Sequence, residues 1–269
     1  MAAVLAVLVL SLLTTSCGGG SSSGIRVIYL VPSDKDEMPQ ARLGSLNALK
    51  HLQKWYYDQL GSGMTFSVAS ADSFRVVKTK HPEEWYRKHP NGDNAEFFWF
   101  QNAVDDAKWD AGLGSDPIVV LLDADIEGHG PGAAAHRSGR FAVMPWRYAR
   151  AFAGQNIEPP CHAVGVLGHE LGHIFGLDHP QNCVLQGYRT MVKSCDSIMY
   201  YGPPDYPRTF LTDDQKMKVR NHPAFRKQEP PPGADFDCDR LLISSRNRNS
   251  IEQASSQRPR NLVELLLQR

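Results

Sequence analysis

His169, Glu170, His173, Gly176 and His179 fall within eleven residues, in the order His-Glu-x-x-His-x-x-Gly-x-x-His. If this stretch is helical, His169 and His173 stand one turn apart on the same face, as two ligands of one ion must. Gly176 can take positive φ, which ends the helix and turns the chain. His179 then returns toward the same ion from a second direction. Three neutral nitrogens at about 2.0–2.1 Å leave a fourth tetrahedral position for water, the arrangement of catalytic rather than structural zinc. Glu170 adjoins a ligand but points away from it, which leaves its carboxylate free to work on that water. The chemistry implied is metal-assisted hydrolysis with one Zn2+.

The short form, His-Glu-x-x-His, arises by chance on amphipathic helices; the spaced glycine and third histidine make the pattern far more specific. At these residues the chain resembles the metzincin clan of zinc endopeptidases. Ser197-Ile198-Met199-Tyr200-Tyr201 is similar to that clan's Met-turn. The resemblance implies Met199 as an apolar floor beneath the metal. It also implies Tyr201 as a hydroxyl that binds the metal at rest and the oxyanion during reaction. The fold implied is α+β: a twisted mixed sheet with an antiparallel edge strand, an active-site helix, and a small C-terminal subdomain after the third histidine.

The elements that must position these residues are legible in outline. Val164, Leu167, Leu171, Ile174 and Phe175 recur at helical spacing and give the histidine helix an apolar stripe. Gly165, Gly168 and Gly172 cost that helix about 1 kcal/mol each against alanine, which close packing would explain. Before it, Ile25–Val31, Met64–Ala69 and Phe74–Thr79 read as strands, and residues 40–60 as a long amphipathic helix. Residues 81–94 read as a surface excursion, and Ala95 to Trp109 as a second helix. Ile118–Leu122 is a continuous apolar run suited to a central strand. Asp123 to Gly128 resembles the start of a calcium loop, but Ala134 stands where a bidentate glutamate is required, so it is read as a plain loop. His129 and His136 follow without partners at ligand spacing and read as surface residues. Phe141–Trp146 ends in proline and is expected to be the edge strand along which an extended substrate adds by β-augmentation. Thr212-Asp213-Asp214-Gln215 has the form of a capping box opening a helix through about Val219.

The ends of the chain speak to location. Residues 4–13 are apolar and no charged side chain precedes Arg26. With Leu13-Thr14-Thr15-Ser16-Cys17, this resembles a signal peptide ending in a bacterial lipobox, with Cys17 as the acylated residue after removal of 1–16. Gly18 to Gly24 would be a tether from the membrane. An ordinary cleaved signal peptide, giving full secretion, is the alternative. The catalytic domain is placed at 25–229. The run Glu229-Pro230-Pro231-Pro232-Gly233 ends the compact region, and 230–269 is a polar, partly disordered extension with a short apolar run at Leu262–Leu267. Cys161, Cys183, Cys195 and Cys238 are an even set in an exported chain, so two disulfides are expected. Of the three connectivities, Cys183–Cys195 with Cys161–Cys238 is preferred; the first would stabilise by roughly 3 kcal/mol in the chain-entropy model.

With 29 basic and 29 acidic residues the chain has no net charge, and nothing electrostatic favours nucleic acid as a partner. The partners expected are a protein or peptide substrate and, through the anchor, a membrane. The reading is a zinc endopeptidase. Its alternatives are a zinc hydrolase of a non-protein amide of cell-wall type, and a non-catalytic surface protein that keeps zinc as a structural element.

Overall fold

The computed structural model describes residues 24–68, 74–111, 115–126, 133–136, 139–181, 183, 193–200 and 202–232. Tyr201, Cys17, Cys238, His129, the leader and tether up to residue 23, and the extension from 233 onward lie outside the described residues.

Five strands form the main sheet: β1 (Arg26–Val31), β3 (Phe74–Lys78), β4 (Ile118–Leu122), β5 (Ala134–Ala135) and β6 (Phe141–Pro145). Their spatial order is β3-β1-β4-β6-β5, parallel except for β5, which runs antiparallel to β6. Apart from Arg26 at the start of β1, the inner strands are apolar because both faces are covered. On β1, Val27, Tyr29 and Val31 face one core, while Ile28 and Leu30 face another. On β4, Val119 and Leu121 join the first, and Ile118, Val120 and Leu122 the second. The first core lies under α1 (Gln40–Leu60), α4 (Trp146–Phe152) and α5 (Pro160–Ile174), and the second under α2 (Glu83–Lys88) and α3 (Phe98–Ala111).

Three expectations change. The edge strand beside the histidine helix is β5, not Phe141–Trp146: β6 is buried at every position and β5 occupies its outer side. Pro145 is no sign of an edge here, because it closes the strand and serves as N-cap of α4, where its missing N–H is not needed. Second, the stretch 81–94 is not a mere excursion. It contains α2, whose Tyr86 is fully buried and donates to Asp106 at 2.7 Å. The buried amide of Asn102 on α3 donates to the Tyr86 and His89 carbonyls at 3.1 and 2.9 Å, which satisfies the end of α2. Third, the strand starting at Met64 is short and leaves the main sheet. As β2 (Met64–Phe66) it pairs antiparallel with β7 (Phe225–Lys227). Gln53 on α1 fixes it there, donating to the Phe66 carbonyl at 2.7 Å and accepting from Thr65 through its own carbonyl at 2.6 Å.

The loop reading of Asp123 holds within the described residues. Its carboxylate is buried after β4, accepts from the Tyr29 hydroxyl at 2.8 Å and lies 3.7 Å from Arg150 Nε. The capping box at Thr212 and Gln215 is present and opens α6 (Asp213–Arg220).

Candidate functional site

α5 ends as the sequence requires. Its last residues are followed by Gly176 at φ 82°, with Gly176 N–H donating to the His173 carbonyl and Leu177 N–H to the Gly172 carbonyl, both at 2.9 Å. This is a Schellman closure, and a side chain at Gly176 would strain it. The turn has a second use. The Leu177 carbonyl accepts from His173 Nδ1 at 3.0 Å, so the residue that closes the helix also orients an imidazole.

His169 is oriented from elsewhere: its Nδ1 lies 2.7 Å from the Ile198 carbonyl. Ile198 belongs to the turn Ser197–Tyr200, where Tyr200 N–H and Gly202 N–H both donate to the Ser197 carbonyl, at 3.0 and 2.9 Å. That turn reaches α5 through the glycines. A Cβ on Gly168 would stand 2.7 Å from Ile198 Cδ1, and one on Gly172 2.2 Å from Met199 Sδ. One on Gly165 would stand 2.3 Å from the Pro203 carbonyl oxygen. The three glycines thus clear the track along which Ile198, Met199, Pro203 and Tyr206 lie, and Met199, fully buried, sits against the helix between the histidine turns.

With both Nδ1 protons committed to carbonyls, His169 and His173 turn Nε2 lone pairs inward. His179 joins them: the three Nε2 atoms are 3.0, 3.1 and 3.1 Å apart. No hydrogen bond explains the His169–His173 approach, because each Nε2 is an acceptor there. Burial pushes His169 down to about 3, with the neighbouring His173 adding to the effect. Burial also lowers His173 and His179. The cluster therefore disfavours protons and places three lone pairs face to face, a set that a metal cation relieves. The separations are close to the roughly 3.3 Å edge of a tetrahedron with Zn–N bonds near 2.05 Å. The donor set fits a borderline divalent metal.

Glu170, on the same helix, is 6% exposed, and burial raises its carboxyl to about 8. It forms no hydrogen bond to any described residue, yet it borders a cleft of about 310 Å³ together with His169. The other walls are Ala133 before β5, Tyr148 on α4, His162 and Val166 on α5, and Tyr200, Pro203 and Pro204. A second cleft of about 400 Å³ opens on the far side of His179, lined by Asp178, Thr212, Asp214 and Lys218 among others. A buried carboxyl with no hydrogen-bond partner among the described residues, bordering a cleft beside three convergent nitrogens, can exchange a proton with a bound molecule.

His136 stands apart from the cluster and contacts Gln101. Tyr200, not singled out from the sequence, donates to the Cys183 carbonyl at 3.2 Å, and its ring lies 5.8 Å from that of His179. His162 and Tyr148 were also missed; positions 162, 166, 169 and 170 follow a helical stripe that points to the first of them. The disulfide Cys183–Cys195 is present. Cys161 is disulfide-bonded as well, its partner lying outside the described residues.

No protein-family model matches the chain, and no curated protein matches it. Similar solved structures include wild-type OgpA from Akkermansia muciniphila, at 18% identity and a TM-score of 0.48, over 77% of this chain and 63% of that one. The present chain thus spans less than two thirds of OgpA, a protein also solved in catalytically inactive form with an O-glycopeptide substrate. Metalloproteinase-II from Bacteroides fragilis aligns at 15% identity and a TM-score of 0.39, over 74% of this chain and 53% of that one. Archaemetzincin from Methanopyrus kandleri aligns at 18% identity and a TM-score of 0.33, over 86% of this chain and 99% of that one.

Proposed function

We propose that the chain is an exported, zinc-dependent endopeptidase of metzincin type, with His169, His173 and His179 as the ligands of one Zn2+ and Glu170 as the catalytic acid–base. The observation that carries this reading is the convergence of three proton-poor Nε2 atoms within 3.1 Å beside a buried carboxyl with no hydrogen-bond partner among the described residues. Zinc is chosen over other borderline metals because three nitrogens with one position left open, next to a carboxylate, are the donor set of a hydrolytic zinc site.

Bound zinc would supply Lewis acidity and a water acidified toward neutral pH. The protein's part follows from its own atoms. The Ile198 and Leu177 carbonyls hold two imidazoles in one tautomer, so little reorganisation is needed when a cation is bound. Glu170 takes a proton from the attacking water and returns one to the departing amine. The outer side of β5, which borders the sheet among the described residues, would offer backbone groups to an extended peptide that adds as a further antiparallel strand. Tyr201 keeps its proposed role as oxyanion donor.

Glu170→Gln is expected to retain one zinc per chain while peptide hydrolysis falls by at least about 100-fold. Undiminished turnover by that variant, or purified protein without zinc, would end the reading. Export and anchoring rest on residues 1–24 and are supported by the Cys183–Cys195 disulfide, a bond of oxidising compartments. Intact mass after expression in a bacterial host is expected to show loss of residues 1–16 and acyl chains on Cys17; an unmodified N-terminus refutes the anchor.

A further inference from the structure

The three imidazoles are not steered alike. His169 and His173 each commit Nδ1 to a backbone carbonyl, whereas His179 Nδ1 has no hydrogen-bond partner among the described residues. A metal-binding imidazole is ordinarily oriented through its second nitrogen. For His179 the orientation has to come from packing instead. Asp178 beside it pairs with Lys218 at 3.4 Å, but both side chains are exposed, and a pair of that kind holds little.

Tyr200 supplies the packing. Its ring meets that of His179 edge-on, at 62° and 5.8 Å between centroids, inside the range where aromatic rings attract. Its hydroxyl donates to the Cys183 carbonyl at 3.2 Å. Tyr200 therefore grips the arm that carries the third imidazole at two places, His179 and Cys183, and Cys183 is itself bonded to Cys195. The ring axis, fixed at its backbone end and at its hydroxyl, cannot swing off His179 while that hydrogen bond stands. Beneath the ring, Tyr200 N–H closes the turn on the Ser197 carbonyl at 3.0 Å, and the same turn presents the Ile198 carbonyl to His169. One turn thus reaches two of the three candidate ligands, by a carbonyl on one side and an aromatic edge on the other.

We propose that Tyr200 is a positioning residue for the third ligand: it sets where His179 Nε2 stands relative to the pair on α5. The proposal rests on the zinc reading of these histidines and is tested by zinc affinity rather than turnover. The metal-free full chain is titrated with zinc against competing chelators of graded strength. Native protein, Tyr200→Phe and Tyr200→Leu are compared, each with and without His179→Ala. Loss of the ring pair and of the hydroxyl together is expected to weaken zinc binding about 10-fold in Tyr200→Leu. Tyr200→Phe keeps the ring and should lose only about 3-fold. In the His179→Ala background both substitutions should change affinity by less than about 1.5-fold, because the imidazole they steer is gone. A general role in holding the turn together would instead lower affinity equally in both backgrounds, through His169. That result, or full affinity in Tyr200→Leu, overturns the proposal. Native protein that shows the expected coupling yet cleaves no peptide removes the peptidase reading and leaves the role of Tyr200 standing; native protein that binds no zinc removes both.

Discussion

Two of the three candidate ligands and the third are held by different means. His169 and His173 are carried by a helix, half-buried or more, and each is pinned by a backbone carbonyl at 2.7–3.0 Å. His179 follows a turn, is exposed, and contacts its surroundings through the Tyr200 ring and the other two imidazoles. The helical pair is preorganised by its carbonyl partners, and the third nitrogen completes the set from an exposed position beyond the helix. On the zinc reading, the scaffold that holds the helical pair would fix the position of the ion, and the exposed third ligand would close the set.

The sharpest way to break this contrast is to remove one nitrogen from each side. Both His169→Ala and His179→Ala are expected to weaken zinc binding by more than about 100-fold, the upper range for losing even a supporting partner. Only His169→Ala should also destabilise the metal-free protein, by about 1–3 kcal/mol, because it strands the Ile198 carbonyl and opens a void. His179→Ala should stay within roughly 0.5 kcal/mol, as exposed substitutions do. Chemical denaturation of both apo-variants distinguishes them, and equal losses would mean that the helix-borne ligand is no more embedded than the loop-borne one.

A smaller effect tests the helix alone. Gly165→Ala gains helix propensity but drives a methyl group into the Pro203 carbonyl oxygen, a backbone atom with no rotamer to give. The net expectation is a loss of about 1–2 kcal/mol. A gain in stability would show that the stripe of glycines is not there for contact.

The smallest effect is a slope. Burial lowers the folded-state pKa of His169 and His173, so the unfolded chain binds protons more readily. Their contribution to apo stability is complete above the ordinary histidine range near 6.5 and is lost as pH falls from there toward about 3, the value for His169. Melting temperatures of the apo-protein should drop across that window, and less steeply in His169→Ala. An unchanged slope would mean that the ring titrates as if in water.

Much of the site was legible because its constraints are local. Ligand spacing, the glycine at the turn and the apolar stripe all act within one helix and its closure. The strand cores were legible for a similar reason, since the inner strands, covered on both faces, are apolar beyond the Arg26 that opens β1. Strand order was not. Whether Phe141–Pro145 or Ala134–Ala135 forms the border depends on how residues 123–140 return to the sheet, which no periodicity encodes. The helix at Glu83–Lys88 was hidden because its support comes from Asn102, a polar residue whose burial makes sense only once α3 lies alongside. Tyr200 was overlooked beside Tyr201 because adjacent tyrosines in a turn are indistinguishable until the backbone chooses which way each points.

The clasp between β2 and β7 sets an order of events for the newborn chain. Met64–Phe66 finds its hydrogen-bonding mate only at Phe225–Lys227, more than one hundred and fifty positions later. Phe66 and Phe225 both pack on Phe175, one residue beyond the histidine helix, the first tilted and the second edge-on. While the ribosome still holds the late strand, that aromatic nest is incomplete and the helix above it lacks its support. The packing beneath the histidine triad is therefore completed only when β7 has joined β2, so a cut or substitution far along the chain from the histidines would still be felt at the helix that carries two of them.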